Sequence, residues 1–135
     1  MQTEDSRPRA LRLTLMAEEF AVCRLAPDAP LPGWLAAAGF VSVTRTTDEL
    51  SIVCPAVSVP EPILKERGWR LWRVQGPFPF TATGVLSSLL EPLAAAGIPV
   101  LAIATFDTDY LLIQTGHIGA TRQAWLAAGH TLDSG

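Results

Sequence analysis

The sequence predicts an α/β (α+β) fold of two ferredoxin-like βαββαβ units in tandem, the first degenerate, each running strand, helix, strand, strand, helix, strand. An internal repeat is the first observation behind this. Leu35-Ala36-Ala37-Ala38-Gly39 recurs as Leu93-Ala94-Ala95-Ala96-Gly97. Each copy continues into an aliphatic stretch, a Thr-Asp pair (Thr47-Asp48, then Thr108-Asp109) and a second apolar run. The second observation is the strand-like alternation over residues 69–74. The third is an apolar stripe at helical spacing, formed by Val85, Leu86, Leu89, Leu90, Leu93 and Ala96.

Residues 1–8 are polar and read as a disordered lead-in without the apolar core of a signal peptide. The first unit is assigned to residues 9–68. It begins with a hairpin in which a strand over 9–16 pairs with one over 20–25 around Ala17-Glu18. A helix of barely two turns follows over 32–38, then strands over 40–44 and 50–53. Pro55, Pro60 and Pro62 leave room only for a short helix before residue 66.

The second unit is assigned to residues 69–135. Its first strand, 69–74, is broken by Gly76-Pro77, and Thr81 or Thr83 can cap the helix that follows. Gly97 is a natural stop for that helix. Pro92 lies inside it and costs about 3 kcal/mol unless packing absorbs the lost hydrogen bond. Residues 98–104 are apolar almost throughout, which predicts a strand covered on both faces. Asp107-Thr108-Asp109 turns the chain into a strand over 110–114. An amphipathic helix over 118–128, with Trp125 and Leu126 inward, leads to a last strand over 130–132.

Composition excludes several classes of function. The chain is 49% hydrophobic and 17% charged, so it can build a core and is not a disordered polyelectrolyte. A net charge of −3 with scattered Lys and Arg offers no basic surface for nucleic acid. No apolar run reaches the ~20 residues that span a bilayer, so no membrane partner is expected. Two cysteines without an export signal lead us to expect the reducing cytoplasm. Units of ~60 residues cannot leave an apolar sheet face in water, which predicts pairing and a homodimer.

The residues also outline a binding site. The loop over 75–84 joins a strand end to a helix N-terminus, where backbone N–H groups and the helix dipole favour a carboxylate. Asp107 and Asp109, on the turn at 106–109, can answer an ammonium or guanidinium group. A zwitterion needs both ends. The same features also suit ordinary turn chemistry, since Gly and Pro precede many helices and Asp caps many turns.

An enzyme is not expected. His117 and His130 are the only histidines, the first suited to a loop or cap and the second to the surface of a terminal strand. Cys23 and Cys54 fall on strands that neighbour each other in this topology, and they read as buried structural thiols. Asp107 and Asp109 alone make a weak metal pair, and no phosphate loop is present, so no metal or cofactor is expected.

Residues 69–113 carry Gly76-Pro77-Phe78-Pro79-Phe80-Thr81-Ala82-Thr83-Gly84, then Leu93-Ala94-Ala95-Ala96-Gly97-Ile98, then a run from Ala104 to Leu112 that includes Thr108-Asp109-Tyr110. This order of GPxxF, TG, LAxAGI and TDY resembles the ACT-domain family, and within it the tandem branch of the CASTOR arginine sensors and their bacterial relatives. The resemblance implies a regulatory sensor that binds an amino acid at an ACT–ACT interface. It assigns the ligand contacts to Phe80, Thr81, Thr83, Gly84, Thr105, Phe106, Asp107 and Thr108. It further implies a homodimer whose output passes through an unidentified effector protein. The first unit has Pro27-Asp28-Ala29-Pro30-Leu31 in place of a GPxxF loop, so its equivalent site is in question. The competing reading is a dimeric protein-interaction module that binds no small ligand.

Overall fold

The computed structural model describes residues 10–37, 39–79 and 81–134; the expected lead-in over 1–8 and the candidate contact Phe80 lie outside the described residues. The fold is mixed α/β, with antiparallel strand pairs and two α-helices among the described residues. In chain order the elements are β1 (Arg12–Leu25), β2 (Ser42–Arg45), β3 (Leu50–Pro55), β4 (Leu64–Val74), α1 (Val85–Ala95), β5 (Leu101–Ala104), β6 (Asp109–Gln114), α2 (Ile118–Ala127) and β7 (Thr131–Ser134). The chain clusters into two compact units, one of residues 18–69 and the other of 70–134 with 10–17.

β1 is a single strand of 14 residues, not the expected hairpin. Ala17-Glu18 contains no Gly, Asn or Asp to take the positive φ that a two-residue turn requires. Each half of β1 finds other partners instead. Its first half pairs in parallel with β7, Arg12 opposite Thr131, and its second half pairs antiparallel with β3, Cys23 opposite Ile52.

The unit of residues 18–69 has the strand order β4-β1-β3-β2. Where helices were expected it has 3-10 turns, Gly33–Ala37 and Ala56–Ser58. The proline content accounts for the second of these, because Pro55 and Pro60 bracket it. Its core gathers Ala21, Cys23, Leu50, Ile52, Cys54, Ala56 and Val59 on one face of the strands. Phe20 packs edge-to-face on Phe40 at 5.9 Å. Glu19 is held by Arg67 at 3.3 Å and by the Gly68 N–H at 2.8 Å.

The other unit has the strand order β7-β1-β4-β6-β5, with the first half of β1 lying between β7 and β4. Leu11, Leu13 and Leu15 alternate inward along this stretch, meeting Trp72, Val74, Leu89, Leu93 and Trp125. Trp72 and Trp125 meet edge-to-face at 5.2 Å, and the Arg122 guanidinium sits 5.3 Å above the Trp72 ring. Leu126 is 57% exposed rather than inward, because one helical step of 100° turns it away from the face that Trp125 buries.

α1 runs through Pro92, and the structure shows how the lost hydrogen bond is replaced. Pro92 has no N–H for the Ser88 carbonyl, and its ring crowds the same turn. His130 Nε2 donates to Ser88 O at 3.1 Å, and Trp125 Nε1 donates to Leu89 O at 3.0 Å. His130 is therefore buried, not at the surface as its place in a terminal strand suggested. Its Nδ1 accepts the Leu11 N–H at 3.0 Å, which assigns the proton to Nε2. One imidazole thus serves both a helix carbonyl and a strand amide.

β5 begins only at Leu101, because Pro99 has no N–H to contribute to a ladder. Ile98 is instead buried under the end of α1, its N–H on Leu93 O at 2.9 Å. β5 ends the strand order and is largely exposed, with Leu101 at 40%, so the expected cover on both faces is absent among the described residues. No helix among the described residues is long and apolar enough to cross a membrane.

Candidate functional site

A cleft of about 440 Å³ opens within the unit of residues 70–134, between the start of α1 and the turn that joins β5 to β6. One wall is Gly84, Val85, Leu86 and Ser87; the opposite wall runs from Ala104 to Asp109, with Phe78, Pro79 and Ala82 beside them.

Local backbone chemistry builds both walls. Gly84, not Thr81 or Thr83, occupies the N-cap position of α1, at φ 76°, a conformation that residues with a side chain rarely adopt. The amides of Val85, Leu86 and Ser87, which lie ahead of the helix's own hydrogen-bond ladder, belong to this wall. The opposite wall is fixed by Thr105 and Thr108. The Thr105 N–H and Oγ1 both donate to Thr108 O, at 2.9 and 2.8 Å, closing the turn.

The turn is then tied to the loop after β4. Thr108 Oγ1 donates to Val74 O at 2.6 Å, and the Phe78 N–H donates to Asp107 O at 2.9 Å. Gly76 is needed there for close approach: a Cβ on it would lie 3.0 Å from Asp107 O and 3.0 Å from the Thr108 Cβ. These contacts tie the turn to the end of β4 and the loop that follows it.

Of the residues expected at the site, Gly84, Thr105, Phe106, Asp107 and Thr108 line this one cleft. Thr81 and Thr83 are exposed and do not line it, and Phe80 is not among the described residues. Thr108 is buried at 6% exposure with its hydroxyl committed to Val74, so it shapes the wall. Phe106 is 79% exposed and stands at the rim.

Asp109 was legible as a turn carboxylate but was not placed in the contact set. It lines the cleft half-buried, and burial pushes its carboxyl above the usual carboxylate range. Asp107, two residues away, is exposed. No Lys, Arg or His lines the cleft among the described residues, so its charged side chains are both acidic. The signal that could have singled out Asp109 is its position as first residue of β6, opposite Ala104, where a strand fixes the side chain as a loop does not.

Comparison with known proteins gives two family matches. Residues 64–123 match the ACT domain family, and residues 18–62 match a family described as an N-terminal domain. Among solved structures, the Agrobacterium tumefaciens protein Atu0741 is 36% identical, covers 93% of this chain and 94% of its own, and superposes with a TM-score of 0.88. The Vibrio cholerae protein VC0802 is 19% identical over 89% of this chain and 91% of its own, with a TM-score of 0.73. The ligand-free regulatory subunit of aspartate kinase from Thermus thermophilus is 12% identical over 87% of this chain and 96% of its own, at 0.62. The last two share the fold.

Proposed function

We propose, from the premise that the chain belongs to the family of the Agrobacterium tumefaciens protein and carries an ACT domain over residues 64–123, that it is a regulatory module whose cleft binds a free amino acid. One observation carries this reading. The wall at 104–109 presents a half-buried Asp109 carboxylate that pays a desolvation penalty, and the start of α1 lines the same cleft. A bound ammonium group relieves the carboxylate, while the ligand's α-carboxylate meets the N–H groups of Val85, Leu86 and Ser87 at the positive end of the helix dipole. The volume suits a small zwitterion.

The reading is of binding and not of catalysis. The finer parts of the proposal are a tandem ACT arrangement related to the CASTOR-type sensors and a homodimer. In that dimer an ACT module of a second copy closes the open side of the cleft. The exposed β5 at the end of the strand order supports self-association. The signal then passes to an effector protein, with the chain working in the cytoplasm and without a cofactor.

Thermal melting against the twenty standard amino acids tests this. A ligand at 100 times its Kd adds about 2.7 kcal/mol to the folded state, a shift of several degrees in Tm. At least one amino acid is expected to give that shift. Asp109→Asn should abolish it while raising the Tm of the unliganded protein by roughly 1–3 °C at neutral pH. The sign follows from the raised carboxyl: its contribution to stability is full below the unfolded pKa and is lost as pH rises through the folded one. A flat response from folded protein to all twenty would overturn the proposal and leave a protein-interaction module.

A further inference from the structure

Each unit closes its outer strand pair with the same turn. In the 70–134 unit Ala104 stands opposite Asp109 at the end of the β5–β6 pair, and Thr105 to Thr108 form the turn between them. In the 18–69 unit Arg45 stands opposite Leu50 at the end of the β2–β3 pair, and Thr46 to Glu49 form the turn. The bonds repeat position for position. The Thr46 N–H donates to Glu49 O at 2.9 Å, and Thr46 Oγ1 accepts the Glu49 N–H at 3.1 Å. Likewise the Thr105 N–H donates to Thr108 O at 2.9 Å, and Thr105 Oγ1 accepts the Thr108 N–H at 3.3 Å. Arg45 therefore holds the position of Ala104, which lines the cleft of the other unit, and Leu50 that of Asp109.

The side chain at 45 changes what that position does. In the 70–134 unit the small Ala104 leaves the space beside the turn open, and the cleft lies there. In the 18–69 unit the Arg45 guanidinium crosses to the loop after β1, where Nη1 donates to Pro27 O and Nη2 donates to Ala29 O at 2.8 Å. That loop is closed on itself by the Ala29 N–H on Ala26 O at 3.0 Å, which sets the two acceptor carbonyls. The turn shows a matching exchange. Asp107 O accepts the Phe78 N–H at 2.9 Å, whereas Asp48 O accepts Arg24 Nη2 at 2.9 Å. Guanidinium groups thus make the ties in this unit that the Phe78 amide and the Thr108 hydroxyl make in the other. An arginine present only to solubilise a turn would leave its planar fork of donors to water.

We propose that the 18–69 unit holds a counterpart of the cleft in which Pro27 O and Ala29 O form a guanidinium cradle, kept filled by the chain's own Arg45. The two carbonyls accept one N–H from each Nη of a single planar group, an arrangement that an ammonium cannot reproduce. A free ligand with a guanidinium head meets acceptors already engaged. The tethered group outcompetes it because its attachment to β2 gives it a high effective concentration. Cutting the side chain back to the alanine found at 104 empties the cradle, which then takes a small alkylguanidinium from solution. Each chain accordingly offers a free ligand one cleft and not two. The inference draws on the geometry of the other cleft and is independent of what binds there.

Thermal melting of the full-length protein in millimolar methylguanidinium chloride is the test, with methylammonium chloride at equal ionic strength as the control. Arg45→Ala is expected to lower the Tm by roughly 2–5 °C, since two hydrogen bonds from a charged group are lost at an exposed place. Methylguanidinium should restore at least half of that loss in Arg45→Ala, saturably, and leave wild type unmoved. Methylammonium should restore none of it. Arg45→Lys keeps the charge without the fork, and it should melt between wild type and the alanine variant. The proposal is overturned by a folded Arg45→Ala that methylguanidinium stabilises no more than wild type, or by one that melts with wild type. It is equally overturned by an Arg45→Lys as stable as wild type, and that comparison decides the matter where the alanine variant does not fold. The rescue is read without any amino acid, so a flat amino-acid panel bears on the other cleft and leaves this result standing.

Discussion

The stretches 18–69 and 70–134 run through the same order of elements, yet they hold themselves together differently. In 70–134 two helices of 11 and 10 residues cover the strands, and a tryptophan pair packs edge-to-face beneath them. In 18–69 the positions of the helices are taken by 3-10 turns of five and three residues, and the core is built of small aliphatics and thiols. The difference bears on function as well as stability. A helix start offers a row of unpaired amides, and a 3-10 turn of three residues does not. The cleft with its desolvated carboxylate accordingly belongs to the unit that kept its helices, while the other unit pairs its acidic side chain Glu19 with Arg67.

The comparison can be broken at its strongest point first. Trp125→Ala removes a fully buried indole and the donor to Leu89 O, and it should cost about 3–5 kcal/mol. Urea denaturation measures it, and a loss under ~1 kcal/mol would mean that the helical unit does not rest on this contact.

His130→Phe comes next. It keeps the ring but leaves the Leu11 N–H and the Ser88 carbonyl unpaired in a buried setting, an expected loss of about 2–4 kcal/mol. The same substitution sharpens the account of Pro92. In a Pro92→Ala background the Ser88 carbonyl regains a helical donor, so the cost of His130→Phe should shrink by roughly 1 kcal/mol in a double-mutant cycle. An unchanged cost would separate the two residues.

Smallest is the ion pair of the other unit. Arg67, and after it the Gly68 N–H, hold the Glu19 carboxyl below its usual range, but the two side chains remain 40% and 53% exposed. Solvent screening therefore limits Glu19→Gln to about 0.5–1 kcal/mol. The sign is that of a depressed acid: the stabilisation is present above the unfolded carboxyl pKa and is lost as pH falls through the folded one. Wild type and variant should converge in stability in acid, and a gap that stays constant across the titration would locate the effect elsewhere.

Much of the fold was legible because it is written in local pattern. The stripe from Val85 to Leu93 is α1, the alternation at 69–74 lies within β4, and Gly97 ends the helix at φ 72°. Some misreadings, such as Leu126 and Pro99, are local, while others involve what a residue meets far along the chain. The halves of β1 look like a hairpin because each has strand character, and only their separate partners, β7 and β3, show why the chain runs straight. Pro99 was overlooked among aliphatic neighbours, although one missing N–H suffices to delay β5. For the cleft, residue types at 84 and 105–108 could be read from the sequence. The exposure of Thr81 and Thr83 and the desolvation of Asp109 could not, since both depend on a second wall.

By itself the sequence determined periodicity, punctuation and net charge: which stretches can be strand or helix, and where glycine must take an unusual φ. These follow from forces between residues close in the chain. Tertiary structure alone decided that His130 serves a helix carbonyl across 42 residues and that Thr108 closes a wall on Val74. Each of those depends on desolvation and on partners brought together by burial, and the balance of burial against pairing does not exist until the chain has folded.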